Sequence, residues 1–390
     1  MAENTPDIRF GSFAEDWKRS KIGDVITEKK RPVVLDDNTT YQLITVKRRN
    51  EGVVSRGFLK GREILVKNYF ELKAKDYVIS KRQVVHGANG IVPEKLDGAI
   101  VSNEYLVAIA NDNITTEFLT LISKLPDMYK KFFISSYGID IEKLVFDVDD
   151  WKKRTMSIPD TDEQKRITAF FDDFDKLYSA EQQKHDKLIS FKKSMLDKMF
   201  PKDGAKVPEV RFDRFSGEWT RKKLDEVADK YDNLRIPITA NNRILGSTPY
   251  YGANGIQDYV EGYTHDGKFI LVAEDGANDL KNYPVQYVEG KIWVNNHAHV
   301  LRGKKEKADT QFLKFVISKT KMEPFLVGGG RAKLNAITMM SLFVSLPTDI
   351  NEQIKIGNFF KNFDAQITLQ HQKLQKLTNI KKAFFKKMFL

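Results

Sequence analysis

The sequence predicts an α+β protein: two duplicated β-rich domains separated by two long helices that pair as an antiparallel coiled coil with pseudo-twofold symmetry. Three observations lead there. The chain repeats itself over nearly half its length, each repeat ends in a long helix-period apolar stripe, and the stretches before those stripes read as short strands broken by Gly-Asn turns.

The repeat comes first because it sets the boundaries. PDIRFGSFAEDWKRSKIGDV, from Pro6 to Val25, returns as PEVRFDRFSGEWTRKKLDEV, from Pro208 to Val227, with Pro, Arg, both Phe, Trp and the last Val in register. SIPDTDEQKRITAFFDDFDKLY from Ser157 returns as SLPTDINEQIKIGNFFKNFDAQI from Ser345, with one residue inserted before Glu-Gln. Both copies close alike, on FKKSMLDKMF ending at Phe200 and IKKAFFKKMF ending at Phe389. A unit this long is a duplicated module, not one turn of a solenoid. PKDGAKVP (Pro201 to Pro208) joins the copies, its Pro and Gly stopping a helix. The expected spans are a β-rich domain over 1–156, a helix over 157–200, a linker over 201–207, a second β-rich domain over 208–344 and a second helix over 345–390.

Within the β-rich spans the likeness is thin but ordered. HGAN at His86 to Asn89 aligns with DGAN at Asp275 to Asn278, and GAIVSNEYLV from Gly98 aligns with GKIWVNNHAHV from Gly290. Apolar runs lead into a Gly-Ala-Asn turn and out again, so both domains are expected to share a fold while differing in surface.

The helices carry a seam. In the first copy it runs Ile167, Phe170, Phe174, Leu177, Leu188, Phe191, Met195, interrupted by Glu181 and Lys184. In the second it runs Ile356, Phe359, Phe363, then polar Gln366, Gln370 and Lys373, then Leu377, Ile380, Phe384. Roughly 37 helical residues span about 55 Å, and a helix with one apolar face needs an equally long partner. Antiparallel pairing sets Glu181 and Lys184 beside Gln370 and Lys373. Parallel pairing would match the polar layers too; the antiparallel arrangement is preferred because a short linker then lets head-to-tail modules close symmetrically.

Composition narrows the function. The 390 residues include no cysteine, which excludes disulfides, thiolate metal sites and cysteine nucleophiles. No apolar run is long enough to cross a bilayer and the start lacks a signal-peptide stretch, so a cytoplasmic location is expected. A formal charge of +11 suits a polyanionic partner, although basic charge alone also fits a solvated surface.

Catalytic patterns fail on inspection. GYTHDGK (Gly262 to Lys268) lacks the Ser or Thr of a phosphate-binding loop at Phe269, and neither Asn-Pro-Pro-Tyr nor Asp-Pro-Pro-Tyr, with which adenine methyltransferases grip their target, is present. Asp160, Glu163 and Lys165 hint at a nuclease, but they crowd one helix start, where Asp162 and Asn351 read as N-caps with Glu163 and Glu352 in the first turn. His297 and His299 lack a third ligand at metal spacing, so no metal is assigned. The chain is expected to be no enzyme and to hold no cofactor.

What remains is recognition. In the first domain Lys47, Arg48, Arg49, Asn50 and Arg56 cluster about a turn, and Lys81, Arg82, His86, Asn89 and Asn103 follow near Gln83 and Ser102. The second domain offers Tyr250, Tyr251, Asn254, Asn278, Asn295, Asn296, His297, Arg331, Lys333 and Asn335, with Gly328 to Gly330 able to admit a phosphate. Arg pairs bidentately with guanine and Asn with adenine, so both sets suit base edges as well as phosphates. Plain solvated loops would look similar. The two sets differ, so the two arms are expected to read different half-sites.

The order domain, helix, domain, helix, with W-x-R/K motifs, Glu-Gln helix starts and FF-x-x-FD, together with TPYYGANGI and NNHAHV, resembles the DNA-specificity subunits of type I restriction-modification systems over essentially the whole chain. The resemblance implies that each β-rich domain is a target recognition domain for one half of a bipartite double-stranded DNA sequence. It implies that the helices set the spacer and dock two modification (methyltransferase) subunits, joined by restriction/translocase subunits. S-adenosylmethionine, ATP and Mg would belong to those partners. The competing class is an adaptor whose duplicated domains bind protein or glycan ligands.

Overall fold

The computed structural model describes residues 5–66, 68–328 and 332–389. The chain divides into two compact units, one of Met1–Ala180 with Leu374–Leu390, the other of Glu181–Lys373.

In the first unit, strand Ile26–Glu28 pairs with Tyr105–Ala110, which pairs with Tyr77–Ser80, which pairs with Asn89–Ile91, all antiparallel. A second sheet of five strands is built around the hairpin Thr40–Lys47/Gly52–Lys60, whose first strand runs parallel to Ile100–Ser102. The second unit traces the same path as one sheet of six strands. Ala228–Lys230, Ala298–Gly303, His265–Ala273 and Val285–Val294 lead to the hairpin Leu245–Gly252/Gly255–Val260, again through a parallel pairing, Tyr250↔Trp293 and Tyr251↔Val294. The long strands of the second unit are broken in the first at 72–76 and 92–99. Buried Asp76 closes the first break by taking both guanidinium nitrogens of Arg31, at 2.6 and 3.0 Å.

The repeated motifs form the joint between domain and helix, and the joint is the same in both units. Arg9 donates twice to Glu163, at 2.9 and 2.6 Å, and Arg211 twice to Glu352, at 2.7 Å each. Both carboxylates are buried, and the bidentate bond to Glu163 is the main reason the Arg9 guanidinium holds its proton beyond its usual range. The neighbouring glutamines fasten the other side. Gln164 accepts from Thr115 N at 2.9 Å and donates to the carbonyls of Asn113 and Pro159; Gln353 accepts from Asp309 N at 2.9 Å and donates to those of Lys307 and Pro347. Thr115 and Asp309 are themselves N-caps of the short helices Thr116–Ile122 and Thr310–Lys319. Trp17 and Trp219, from the other repeated motif, pack edge-on against Phe118 and Phe312 in the two cores.

The long helices are Thr161–Lys198 and Ile350–Lys387. Their caps are Asp160, whose Oδ1 accepts from the amides of residues 162 and 163, and Asp349, which accepts from Asn351 N; Asp162 and Asn351, expected as caps, lie inside the first turn. Where the helices touch within a unit they run antiparallel. In the first unit Phe171 meets Phe385 at 5.2 Å and, further along, Asp175 takes Lys381. In the second, Glu181 meets Gln370 and Lys373, and Phe191 lies 5.3 Å from Phe363. The polar centre thus has a partner of opposite sign, and the Lys373 and Gln370 hydrogen bonds hold the Glu181 carboxyl below its usual range.

The seam is only partly the apolar line expected. Ile167 and Ile356 are buried and Phe170, Phe174, Leu188, Met195, Phe359, Phe363, Leu377, Ile380 and Phe384 half-buried, but Leu177 and Phe191 keep 44% and 48% of their surface exposed. The deepest aromatics are instead Phe171 and Phe360, second members of each Phe-Phe pair. The first member turns toward the repeated RF motif, Phe10 on Phe170 and Phe212 on Phe359, while the second enters the domain core.

Candidate nucleic-acid interface

In the first unit, three loops converge. The hairpin tip turns through Arg49 and Asn50, both at positive φ, and its amides donate to the carbonyls of His86 (2.7 Å) and Gly87 (2.9 Å). Asn50 also accepts from the Asn89 amide at 3.4 Å. The third loop, between strands Ser136–Tyr137 and Val145–Phe146, brings Glu142 to Arg48 at 2.9 Å and to His86 at 3.5 Å. Phe146 N donates to Lys81 O, tying that strand to the segment carrying Lys81 and Arg82. Lys81 donates to Asn103 O, Arg82 pairs with Glu104, and Lys47 lies 3.7 Å from Glu51. Arg49, Arg56 and Asn103 are exposed. Asn89 is not a surface reader: it is buried, and its amide supports the hairpin tip.

In the second unit the corresponding tip is held by a side chain. Asn254 donates to Gly276 O at 2.9 Å and accepts from Asn278 N at 3.0 Å, so the GAN of the hairpin grips the GAN of the following turn. His297 pairs with Asp275, and its amide donates to Asn295 Oδ1 at 2.8 Å. Exposed Lys333 lies 3.1 Å from Glu274 and bridges strand-like to Asp275 and Val327. Asn254, Asn278, Asn296, Lys333 and Asn335 are exposed and His297 half-buried. Two expectations are corrected. Tyr250 is buried with its hydroxyl bonded to Ile238 N and O and Arg243 over its ring, and Asn295 is buried with its amide on Gln257. Tyr250 takes the core-facing side of its strand, whereas Asn295 follows the end of strand Val285–Val294 and turns its side chain inward to accept from His297 N and donate to Gln257. Tyr251, half-buried, packs on the Phe269–Val300 cluster. Arg331 lies outside the described residues.

Behind this face sits a polar network that the sequence reading missed. Asp232, Glu274 and His299 come within metal-ligand distance of one another, the one such group among the described residues. Their oxygens already have protein partners. Arg235 donates to Glu274 at 2.7 Å and lies 3.6 Å from Asp232, Lys333 reaches Glu274, and His299 bonds Asp232 at 2.7 Å and Leu334 O at 2.8 Å. Burial pushes the Asp232 carboxyl up, but the His299 bond and charge, the Val300 amide and Arg235 outweigh it and leave it below the usual range. Glu274 is likewise lowered, by Arg235 and Lys333 against burial. The arrangement positions a loop; it leaves no carboxylate for acid-base work.

Also missed were Glu142 and the apolar residues of its loop. One signal could have found them: YGIDIEKL and GGGRAKLN stand at matching places upstream of the repeated Ser-Ile-Pro and Ser-Leu-Pro.

A β-rich domain mounted on a long helix and used twice, with loop-borne Asn, His and Lys on each copy, defines a duplicated recognition module. The sequence matches the type I restriction modification DNA specificity domain family over residues 14–189 and again over 216–379. The chain belongs to that family. It is 48% identical over 130 residues to a putative type I restriction enzyme specificity subunit of Haemophilus influenzae, a match covering 33% of each protein. It is 23% identical to the MjaVIII specificity subunit of Methanocaldococcus jannaschii across 97% of this chain and 93% of that one. In fold it is similar to the S subunit of M. genitalium (TM-score 0.64, 14% identity, 99% of both chains) and to the HsdS subunit of Thermoanaerobacter tengcongensis (TM-score 0.50, 15% identity, 96% of both). No helix among the described residues is long and apolar enough to cross a membrane.

Proposed function

We propose that this chain is the specificity subunit of a type I restriction-modification enzyme and reads a bipartite double-stranded DNA target without doing chemistry itself. Residues 1–156 and 208–344 each serve as a target recognition domain for one half-site. The helical spans 157–200 and 345–390, joined by 201–207, act as a pseudo-twofold coiled-coil spacer and dock two modification subunits. S-adenosylmethionine, ATP and Mg are bound by those and the restriction subunits, in the cytoplasm. The first half-site is contacted by Lys47, Arg48, Arg49, Asn50, Arg56, Lys81, Arg82, His86 and Asn103; the second by Tyr251, Asn254, Asn278, Asn296, His297, Arg331, Lys333 and Asn335.

One observation carries this reading beyond family membership. In each unit the hairpin tip is locked to the Gly-Ala-Asn turn, through His86 and Gly87 in one and Gly276 in the other, presenting different side chains from the same frame. A fixed frame with exchanged tips is what reading two unlike half-sites requires. The test is binding of the chain, assembled with its modification subunits, to duplexes bearing the mapped methylation target or scrambled versions of it. Sequence-selective binding that weakens with salt is expected; equal affinity for every sequence overturns the reading and favours an adaptor for protein or glycan. Inserting residues into one long helix should change the spacer length recognised, and an unchanged spacer would remove the ruler role.

A further inference from the structure

The loop that carries Glu142 displays an apolar tip in basic surroundings. Tyr137 keeps 62% of its surface, Ile139 is fully exposed and Ile141 keeps 46%. The loop is held in place: its flanking strands pair at Ser136↔Phe146 and Tyr137↔Val145, Asp140 accepts from Glu142 N at 3.2 Å, and Glu142 ties it to Arg48 and His86. Gly138 lies so close to the far side of the loop that a Cβ there would come within 3.1 Å of Lys143 O and 3.2 Å of Leu144 Cα. A single exposed isoleucine needs no explanation. Three apolar side chains on one fastened loop, beside Arg48 and Arg49, do.

The basic neighbours match phosphates, and the apolar feature that a duplex offers between its phosphates is the C5-methyl of thymine in the major groove. The second unit differs at this place, where Lys333 bridges to Val327 and turns its amine to Glu274. We propose that Ile139, flanked by Tyr137 and Ile141, reads a thymine methyl in the half-site bound by the first unit. This rests on the DNA-reading function above and adds one base and one atom group to it.

The experiment uses the chain assembled with its modification subunits and the mapped target duplex, in which thymines of the first half-site are replaced by uracil, removing the methyl and keeping the pairing. Loss of about fourfold in affinity is expected for one contacted methyl, with no loss when the second half-site is substituted instead. Ile139→Ala, a surface change, should bind thymine and uracil duplexes alike, near the wild-type affinity for the uracil duplex. Equal wild-type affinity for the two duplexes, a first half-site without thymine, or thymine preference retained by Ile139→Ala each overturns the proposal. So does an Ile139→Ala variant that loses DNA bending but keeps the methyl preference, since that marks a wedge between base steps. All these outcomes leave sequence-selective binding intact, whereas its absence would sink the DNA-reading function itself.

Discussion

The two units solve the same problem with different materials. In the first, the hairpin tip is tied to the Gly-Ala-Asn turn by main-chain bonds, from Arg49 N and Asn50 N, and the sheet is broken and closed by Arg31 and Asp76. In the second, the tip hangs on the side chain of Asn254, the sheet is continuous, and the loop behind it is held by Asp232, Glu274, His299, Arg235 and Lys333. The joint to the helix does not vary. What the pair teaches is that the frame is conserved where it meets the helix and rewritten where it meets solvent.

The largest expected effect tests the constant part. Glu163→Ala and Glu352→Ala each take the carboxylate from a mostly buried guanidinium, so each should cost about 3–5 kcal/mol in denaturant unfolding, the lower end for Glu352→Ala because Arg211 keeps the carbonyls of Ser216 and Gly217; a large effect from one and a negligible effect from the other would break the equivalence of the joints. Next comes a change confined to the second unit. Asp232→Asn weakens the bonds to His299, the Val300 amide and Arg235, for a loss of about 1–3 kcal/mol. The sign with pH follows from the lowered carboxyl: its stabilisation is complete above the unfolded pKa of about 4 and is lost as pH falls through the folded value. The gap in Tm between wild type and Asp232→Asn should therefore be widest near neutrality and narrow in acid; a gap that widens in acid would contradict the assignment.

Smaller effects should separate the two tips. Asn254→Ala removes both side-chain bonds and should cost about 1 kcal/mol while weakening the second half-site. Asn50→Gly keeps the positive φ and both main-chain bonds and gives up only the long 3.4 Å bond from the Asn89 amide, so its cost should be smaller, about 0.5 kcal/mol. Equal costs would mean that the ties do not differ as drawn. Last, Arg49→Ala should lower the slope of log affinity against log salt by about 1, reading uniformly across sequences if Arg49 meets phosphate and selectively if it meets a base.

Much of this was legible in the sequence because duplication supplies its own alignment. The repeat located the helices, and the polar interruptions at Glu181 and at Gln370 and Lys373 anticipated where they would meet. The role of Arg9 and Arg211 was not legible: each partner lies more than a hundred residues away, and local pattern carries no trace of such a pair. Tyr250 was misplaced because residue type speaks for recognition while strand parity decides which face a side chain takes, and Asn295 because its side chain caps its own turn through His297 N. Phe171 and Phe360 escaped because a seam drawn for helix pairing ignores the second surface, toward the domain, that the same helix must cover.

The arginine-glutamate-glutamine joint makes few demands on what it carries. It asks for an arginine on the leading segment, a capped short helix whose approach offers one amide and one carbonyl, and a core that receives Phe171 or Phe360, and nothing from the hairpin tip. A domain meeting those terms could be exchanged for another without refitting the helix beneath it, so new target preferences are open to whole-segment replacement and need not be reached through a succession of half-functional point mutants.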